Sequence, residues 1–244
     1  MKLAIFSLVT GYAAAFAPAT LNGAVQKSAL HETKADLEVL GKKLNPLVGF
    51  YDPLGLSDAE FWGYSNEATI GFLRHAEIKH SRVAMFAFVG YIAHANGIKW
   101  PYPMQLDGSP FPDNTNPPAL WDEISIQAKY QIFALIAFLE WWSEISTDTN
   151  KHYMAGGRPG AYPDFTTGEG SIPHPVPFNF FDPFGGNSAA SAEKKERGLI
   201  VELNNGRLAM IGILGFLAAQ ECPGSVPMLT GIVEPYAGEV MNPF

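Results

Sequence analysis

Glu77, His80 and Arg82 stand close together in the stretch Glu77-Ile-Lys-His80-Ser-Arg82-Val-Ala-Met85, and the same spacing returns in Glu202-Leu-Asn-Asn205-Gly-Arg207-Leu-Ala-Met210. Corresponding residues keep one separation of 125 positions throughout. On a helix, residues three apart share a face, so Glu77 adjoins His80 and Glu202 adjoins Asn205. Carboxylate, imidazole and amide oxygen are all acceptable axial ligands for a metal whose other positions are filled by a cofactor ring. Magnesium favours hard oxygen donors and also accepts imidazole. An anionic ligand beside a neutral magnesium macrocycle leaves a buried charge, and an arginine removes it by holding one carboxylate oxygen and leaving the other for the metal.

Both motifs open apolar runs, and their charges need partners there. A charge at a bilayer centre costs about 2.5–3.5 kcal/mol on insertion scales. If the two helices cross about a pseudo-two-fold axis, Glu77 pairs with Arg207 and, by the same operation, Glu202 pairs with Arg82. Ala84, Ala87, Ala209 and Gly212 are small enough to let the backbones approach.

Three apolar segments are expected to be helices: about 67–96, about 124–145 and about 192–219. None has 18 uncharged apolar residues in a row, but each reaches the roughly 20 residues of a membrane span once its polar residues face a partner. A buried soluble helix is the alternative for each. Only 16% of residues are charged, against about 25% in an average soluble protein, and Gly and Pro total 24 and 19. The chain therefore reads as all-α and membrane-integral: three helices joined by long Pro/Gly/Asn-rich loops, the first and third crossed. The net charge of −8 argues against a nucleic-acid partner, and the single Cys222 excludes an internal disulfide framework.

The first residues read as an address. Residues 1–15 have a charged start and a short apolar core, as in a signal peptide. Residues 16–31 begin Phe16-Ala-Pro18 and contain no acid, as in a plastid transit peptide, leaving 32–244 as the folded region. Lysines and arginines cluster before the first helix and between the second and third, which puts the mature N-terminus on the positive side and the C-terminus opposite. Tyr51-Asp52-Pro53-Leu54-Gly55 and Phe181-Asp182-Pro183-Phe184-Gly185 extend the repeat upstream as two rigid turns. Ser57 to Glu60 has the pattern of a capping box that would start a short helix. His75 reads as a solvated residue at a helix mouth, and Trp141 and Trp142 as an interfacial belt.

The doubled Glu-x-x-(His/Asn)-x-Arg-x-Ala-Met helices, the Asp-Pro turns and the middle helix resemble the chlorophyll-binding light-harvesting antenna family over about residues 45–219. With the Ala-Phe-Ala-Pro junction, the chain is most similar to the fucoxanthin–chlorophyll a/c-binding branch of diatoms and related algae. The resemblance implies chlorophyll a, chlorophyll c and fucoxanthin-type carotenoids, with diadinoxanthin and thylakoid lipid as further ligands. It implies Glu77, His80, Glu202 and Asn205 as axial magnesium ligands, and Arg82 and Arg207 as their pairing arginines. It carries Gln131 and Glu140 over as pigment ligands of the middle helix, and Asp52-Pro53 and Asp182-Pro183 as carotenoid end-group contacts. His94, on nearly the same face as His80, is a further candidate. So is Gln220, although the family's glutamine position falls on Ala219 here. The family's C-terminal histidine has no counterpart, since no histidine follows His174. The implied setting is a secondary red-type plastid's thylakoid membrane, with the N-terminus stromal and the C-terminus lumenal, beside a photosystem core and neighbouring antenna subunits.

Light collection is the expected function. A photoprotective quencher of the same family is the alternative, given Asp107, Asp113, Asp122, Glu123, Glu234 and Glu239 on the expected lumenal side. A membrane metalloenzyme or transporter is the rival from another class, but no zinc-protease, serine-elbow, phosphate-loop or dinucleotide motif occurs.

Overall fold

The computed structural model describes residues 32–145, 151–162, 186, 189–240 and 242. Among them the helices are α1 (Lys34–Leu44), α2 (Asn66–Ala95), α3 (Pro117–Glu123), α4 (Ile126–Ser143) and α5 (Ala192–Glu221), with short 3₁₀ turns between and no strand. The three longest match the three apolar segments to within a few residues. Only α5 is long and apolar enough to cross a membrane by length and composition alone. α2 is equally long and α4 has 18 residues, but neither contains an 18-residue stretch as apolar as that of α5. The outer faces are nonetheless apolar: Val83 and Phe86 on α2, and Leu208, Ile211 and Leu214 on α5, are 66–70% exposed. Such helices bury their polar stripe and show their oily side, the reverse of a soluble helix.

The described residues fall into two compact units: 83–139 with 207–242, and 32–82 with 140–206. Arg207 falls in the first, whereas the second unit holds Glu77, His80, Arg82, Glu202 and Asn205. In it Thr33 caps α1 in a reciprocal capping box with Asp36, whose carboxyl these bonds hold below the usual range. Leu44, Ile78 and Leu203 form a small core, flanked by Leu40 and Ile200. Gly206 lies directly on Ser81: a Cβ at 206 would sit 2.2 Å from the Ser81 Cβ, so only glycine permits this approach. Ile78 and Leu203, like Ser81 and Gly206, are separated by the same 125 positions as the motif residues.

Ahead of α2, Asp52 does what was expected of Ser57. Its carboxylate accepts the backbone N–H of Leu56 at 3.0 Å and of Ser57 at 2.8 Å, so the Asp-Pro turn itself starts the 3₁₀ turn Leu56–Asp58. The Ser57–Glu60 capping box does not form. Glu60 instead precedes a separate turn, Phe61–Gly63. Asp182 and Pro183 lie outside the described residues, as do the whole presequence and His174.

In the first unit α2 ends at Gly97, whose φ of +71° closes the helix by hydrogen bonds to His94 and, from Ile98, to Ala93. Phe216 of α5 stacks with Phe88 and Tyr91 of α2 at centroid distances of 5.2 and 4.5 Å. The two tryptophans at the end of α4 differ: Trp141 is exposed as a belt residue would be, whereas Trp142 is buried. Successive residues point about 100° apart on a helix, so one of the pair turns inward.

Gly206→Ala tests the close approach. Overpacking of roughly 1–3 kcal/mol should exceed the gain of up to about 1 kcal/mol in helix propensity. A lowered thermal midpoint of the pigment-loaded protein is expected; an unchanged or higher one counts against a tight crossing there.

Candidate pigment-binding site

Arg82 is the hub of the second unit. Its Nε donates to Glu202 Oε1 at 2.6 Å, and its Nη1 donates to the Gly160 carbonyl at 2.7 Å. Both members of the pair are largely enclosed, with side-chain exposures of 27% and 14%. One carboxylate oxygen of Glu202 is thereby taken, and Oε2 is left for another partner. This is the division of oxygens that ligation of a neutral metal ring requires.

Gly160 is gripped from both sides. Its C=O accepts from Arg82, its N–H donates to His75 Nδ1 at 3.1 Å, and its φ of +74° suits glycine. A Cβ there would lie 2.7 Å from the Ile78 side chain. The segment 151–162 is thus fastened along the first half of α2. Tyr153, stacked on His75 at 3.9 Å, has its phenol pushed up to about 12, first by burial and then by Glu144. Burial likewise lowers the Arg158 pKa, while the charge of Glu202 nearby acts in the opposite sense.

His80 lies on the exposed side of α2. Its Nδ1 faces the Ala76 carbonyl at 2.7 Å, and because a carbonyl only accepts, Nδ1 carries the proton. That fixes the tautomer and leaves the Nε2 lone pair outward, as metal-binding imidazoles require. Glu77, on the same face, accepts from Arg74 Nη1 at 2.5 Å, and Arg74 Nε also donates to Glu32 at 3.2 Å. Asn205 is half-buried one turn beyond Glu202. Gln131, Glu140 and His94 are exposed on their helices. Asp52 is half-buried at its turn and Pro53 is exposed.

Gln220 is fully buried. It donates through Nε2 to Asn116 at 2.8 Å, its backbone carbonyl accepts from Tyr236 N–H, and its Oε1 is a buried acceptor without a partner among the described residues. It ties the tail to the end of α5, one residue away from the family's glutamine position. Several acids of the expected lumenal side are engaged: Asp113 with Lys99, Asp122 with the Tyr236 hydroxyl, Glu123 with Asn114.

His75 was missed. It is buried rather than solvated, and its Nε2, which must carry the proton, has no partner among the described residues. Its place was visible in the spacing, because Gly71, His75, Ile78, Ser81 and Met85 recur at three- and four-residue steps and all are buried.

The Glu202 carboxylate, with one oxygen committed to a cation, and the His80 imidazole, with Nε2 directed away from its helix, fit magnesium-ring ligation. Comparison with known proteins agrees. The Chlorophyll A-B binding protein family matches residues 37–221. The chain belongs to that family. It is 35% identical over 94% of its length to a fucoxanthin-chlorophyll a-c binding protein of Trieres chinensis, covering 98% of that protein. It is 32% identical to fucoxanthin-chlorophyll a-c binding protein F of Phaeodactylum tricornutum, over 91% of this chain and 96% of the relative. Protein A of Macrocystis pyrifera is 35% identical over 71% of this chain and 68% of its own length. The expected resemblance is therefore correct at the level of family and branch.

Arg82→Leu should strand Glu202 and free the Gly160 carbonyl. A broken buried pair costs about 3–5 kcal/mol, so refolding yield and pigment retention should collapse; normal yield would remove Arg82 from its central role.

Proposed function

We propose that this family member is a photosynthetic antenna protein that binds chlorophyll a, chlorophyll c and fucoxanthin-type carotenoids and passes excitation to a photosystem. Its family and relatives are pigment-binding light-harvesting proteins, not enzymes. The protein's contribution is positioning, since fixed distances and orientations between pigments let energy move before the excited state decays.

The observation that carries this reading is the Arg82–Glu202 pair. It joins the two repeat motifs, it is enclosed, and it leaves one carboxylate oxygen for a magnesium. In the proposed arrangement α2, α4 and α5 all span the thylakoid membrane. α2 and α5 cross about a pseudo-two-fold axis, and Arg207 is the counterpart partner of Glu77. Support comes from Ser81 against Gly206 and Ile78 beside Leu203, because residues related by a two-fold axis meet at that axis. Glu77, His80, Glu202 and Asn205 are the proposed axial ligands, with Gln131, Glu140, His94 and Gln220 as further pigment contacts. The Asp52-Pro53 and Asp182-Pro183 turns would hold carotenoid ends. The mature N-terminus would be stromal and the C-terminus lumenal, with photosystem and antenna subunits as neighbours.

His80→Leu tests the assignment. It should remove about one chlorophyll per protein while helical content is kept, read by pigment chromatography and far-ultraviolet circular dichroism. Wild-type stoichiometry would refute His80 as a ligand.

A further inference from the structure

The last turn of α4 is held to α2 by one ammonium group. Lys79 Nζ donates to Glu140 Oε2 at 2.6 Å and to Ser143 Oγ at 2.8 Å, and it reaches Glu144 Oε1 at 3.5 Å. The acceptors stand at i, i+3 and i+4, so one helical face presents all three. A lysine has three donors and no acceptor, which matches this set. The Ser143 hydroxyl donates to the Glu140 carbonyl at 2.7 Å and so turns its lone pairs to Lys79. The cation also sits at the C-terminal end of α4, where the helix dipole favours it.

The two carboxylates it touches are not equivalent. Glu144 is also held by His152 Nε2 at 2.9 Å and the Tyr153 hydroxyl at 3.0 Å. Glu140 has no other lysine or arginine within ion-pair distance among the described residues. Its side chain is 58% exposed, while that of Lys79 is 25% exposed. The charge is therefore enclosed on the inner side, and the carboxylate faces outward with Oε1 uncommitted. Glu202 shows the same division, with one oxygen on a cation from another helix and one left over.

We propose that Lys79 is the positioning residue of a third glutamate–chlorophyll site, on α4. It neutralises Glu140 from the neighbouring helix and orients Oε1 toward the magnesium without touching the pigment itself. The inference rests on the antenna reading and on ligation by Glu140. What is new is the cation and its origin outside the repeated arginines.

The test compares Lys79→Met, Lys79→Arg, Glu140→Leu, Glu140→Gln and the double variant Lys79→Met/Glu140→Gln in the pigment-loaded full-length protein. Chlorophyll per protein, visible circular dichroism and far-ultraviolet helicity are measured. Lys79→Met should lose about one chlorophyll and the same visible band as Glu140→Leu, with helicity kept, and Lys79→Arg should restore both. A glutamine ligand is neutral and needs no compensating cation. Lys79→Met/Glu140→Gln should therefore regain the chlorophyll that Lys79→Met loses, even if Lys79→Met itself assembles poorly. A double variant as defective as Lys79→Met would make Lys79 a plain helix tie and overturn the proposal. Full chlorophyll content in Glu140→Leu would overturn it by removing the ligand, while leaving the His80 assignment standing.

Discussion

The hydrogen-bonding fork of Arg82 is the constraint on which the second unit depends. It spends one arm on Glu202 and another on the Gly160 carbonyl, so a single guanidinium joins α2, α5 and the segment between α4 and α5. Lysine could not replace it, because a point charge on a flexible stem lacks the planar array of donors that serves two acceptors in fixed directions. The pair needs close helices, and close helices need Gly206 against Ser81. The geometry at one contact thus presupposes the other.

Around this fork the polar groups are arranged to leave particular atoms uncommitted. Glu202 keeps Oε2, Glu140 keeps Oε1, and His80 keeps Nε2. In each case a hydrogen bond or ion pair on one side of the group fixes the direction of the other side. In the proposed ligand role, the partners behind these groups would set both charge and aim, as they do in metal sites. The apolar outer faces of α2 and α5 supply the remaining requirement, a surface on which flat rings and lipid chains can lie.

Much of this was legible in the sequence. The repeat exposed the motif helices because duplicated residues carry duplicated constraints, and the need to neutralise Glu202 named Arg82 as its partner. The turn at Asp52 was legible for the same reason. The capping pattern at Ser57–Glu60 misled because a local match cannot see the competing carboxylate of Asp52, which takes the Ser57 N–H that Glu60 would have accepted. His75 was misjudged because its burial depends on segment 151–162 folding back over α2, a non-local event that helix-end position does not report. Lys79 carried no assignment in the sequence; its role appears only when the end of α4 is brought beside it. Gln220 lies one step out of register, and its burial against Asn116 shows where that step turned it.

The Arg82–Glu202 contact also bears on how the chain is made. Its halves lie 120 residues apart, so α2 is synthesised long before its neutralising partner exists. In the membrane-spanning arrangement, an unaccompanied α2 would carry charges that cost several kcal/mol in hydrocarbon. On the proposed arrangement, α2 and α5 would be stable in hydrocarbon as a pair rather than singly, because the charges of Arg82 and Glu202 are neutralised only when both helices are in place.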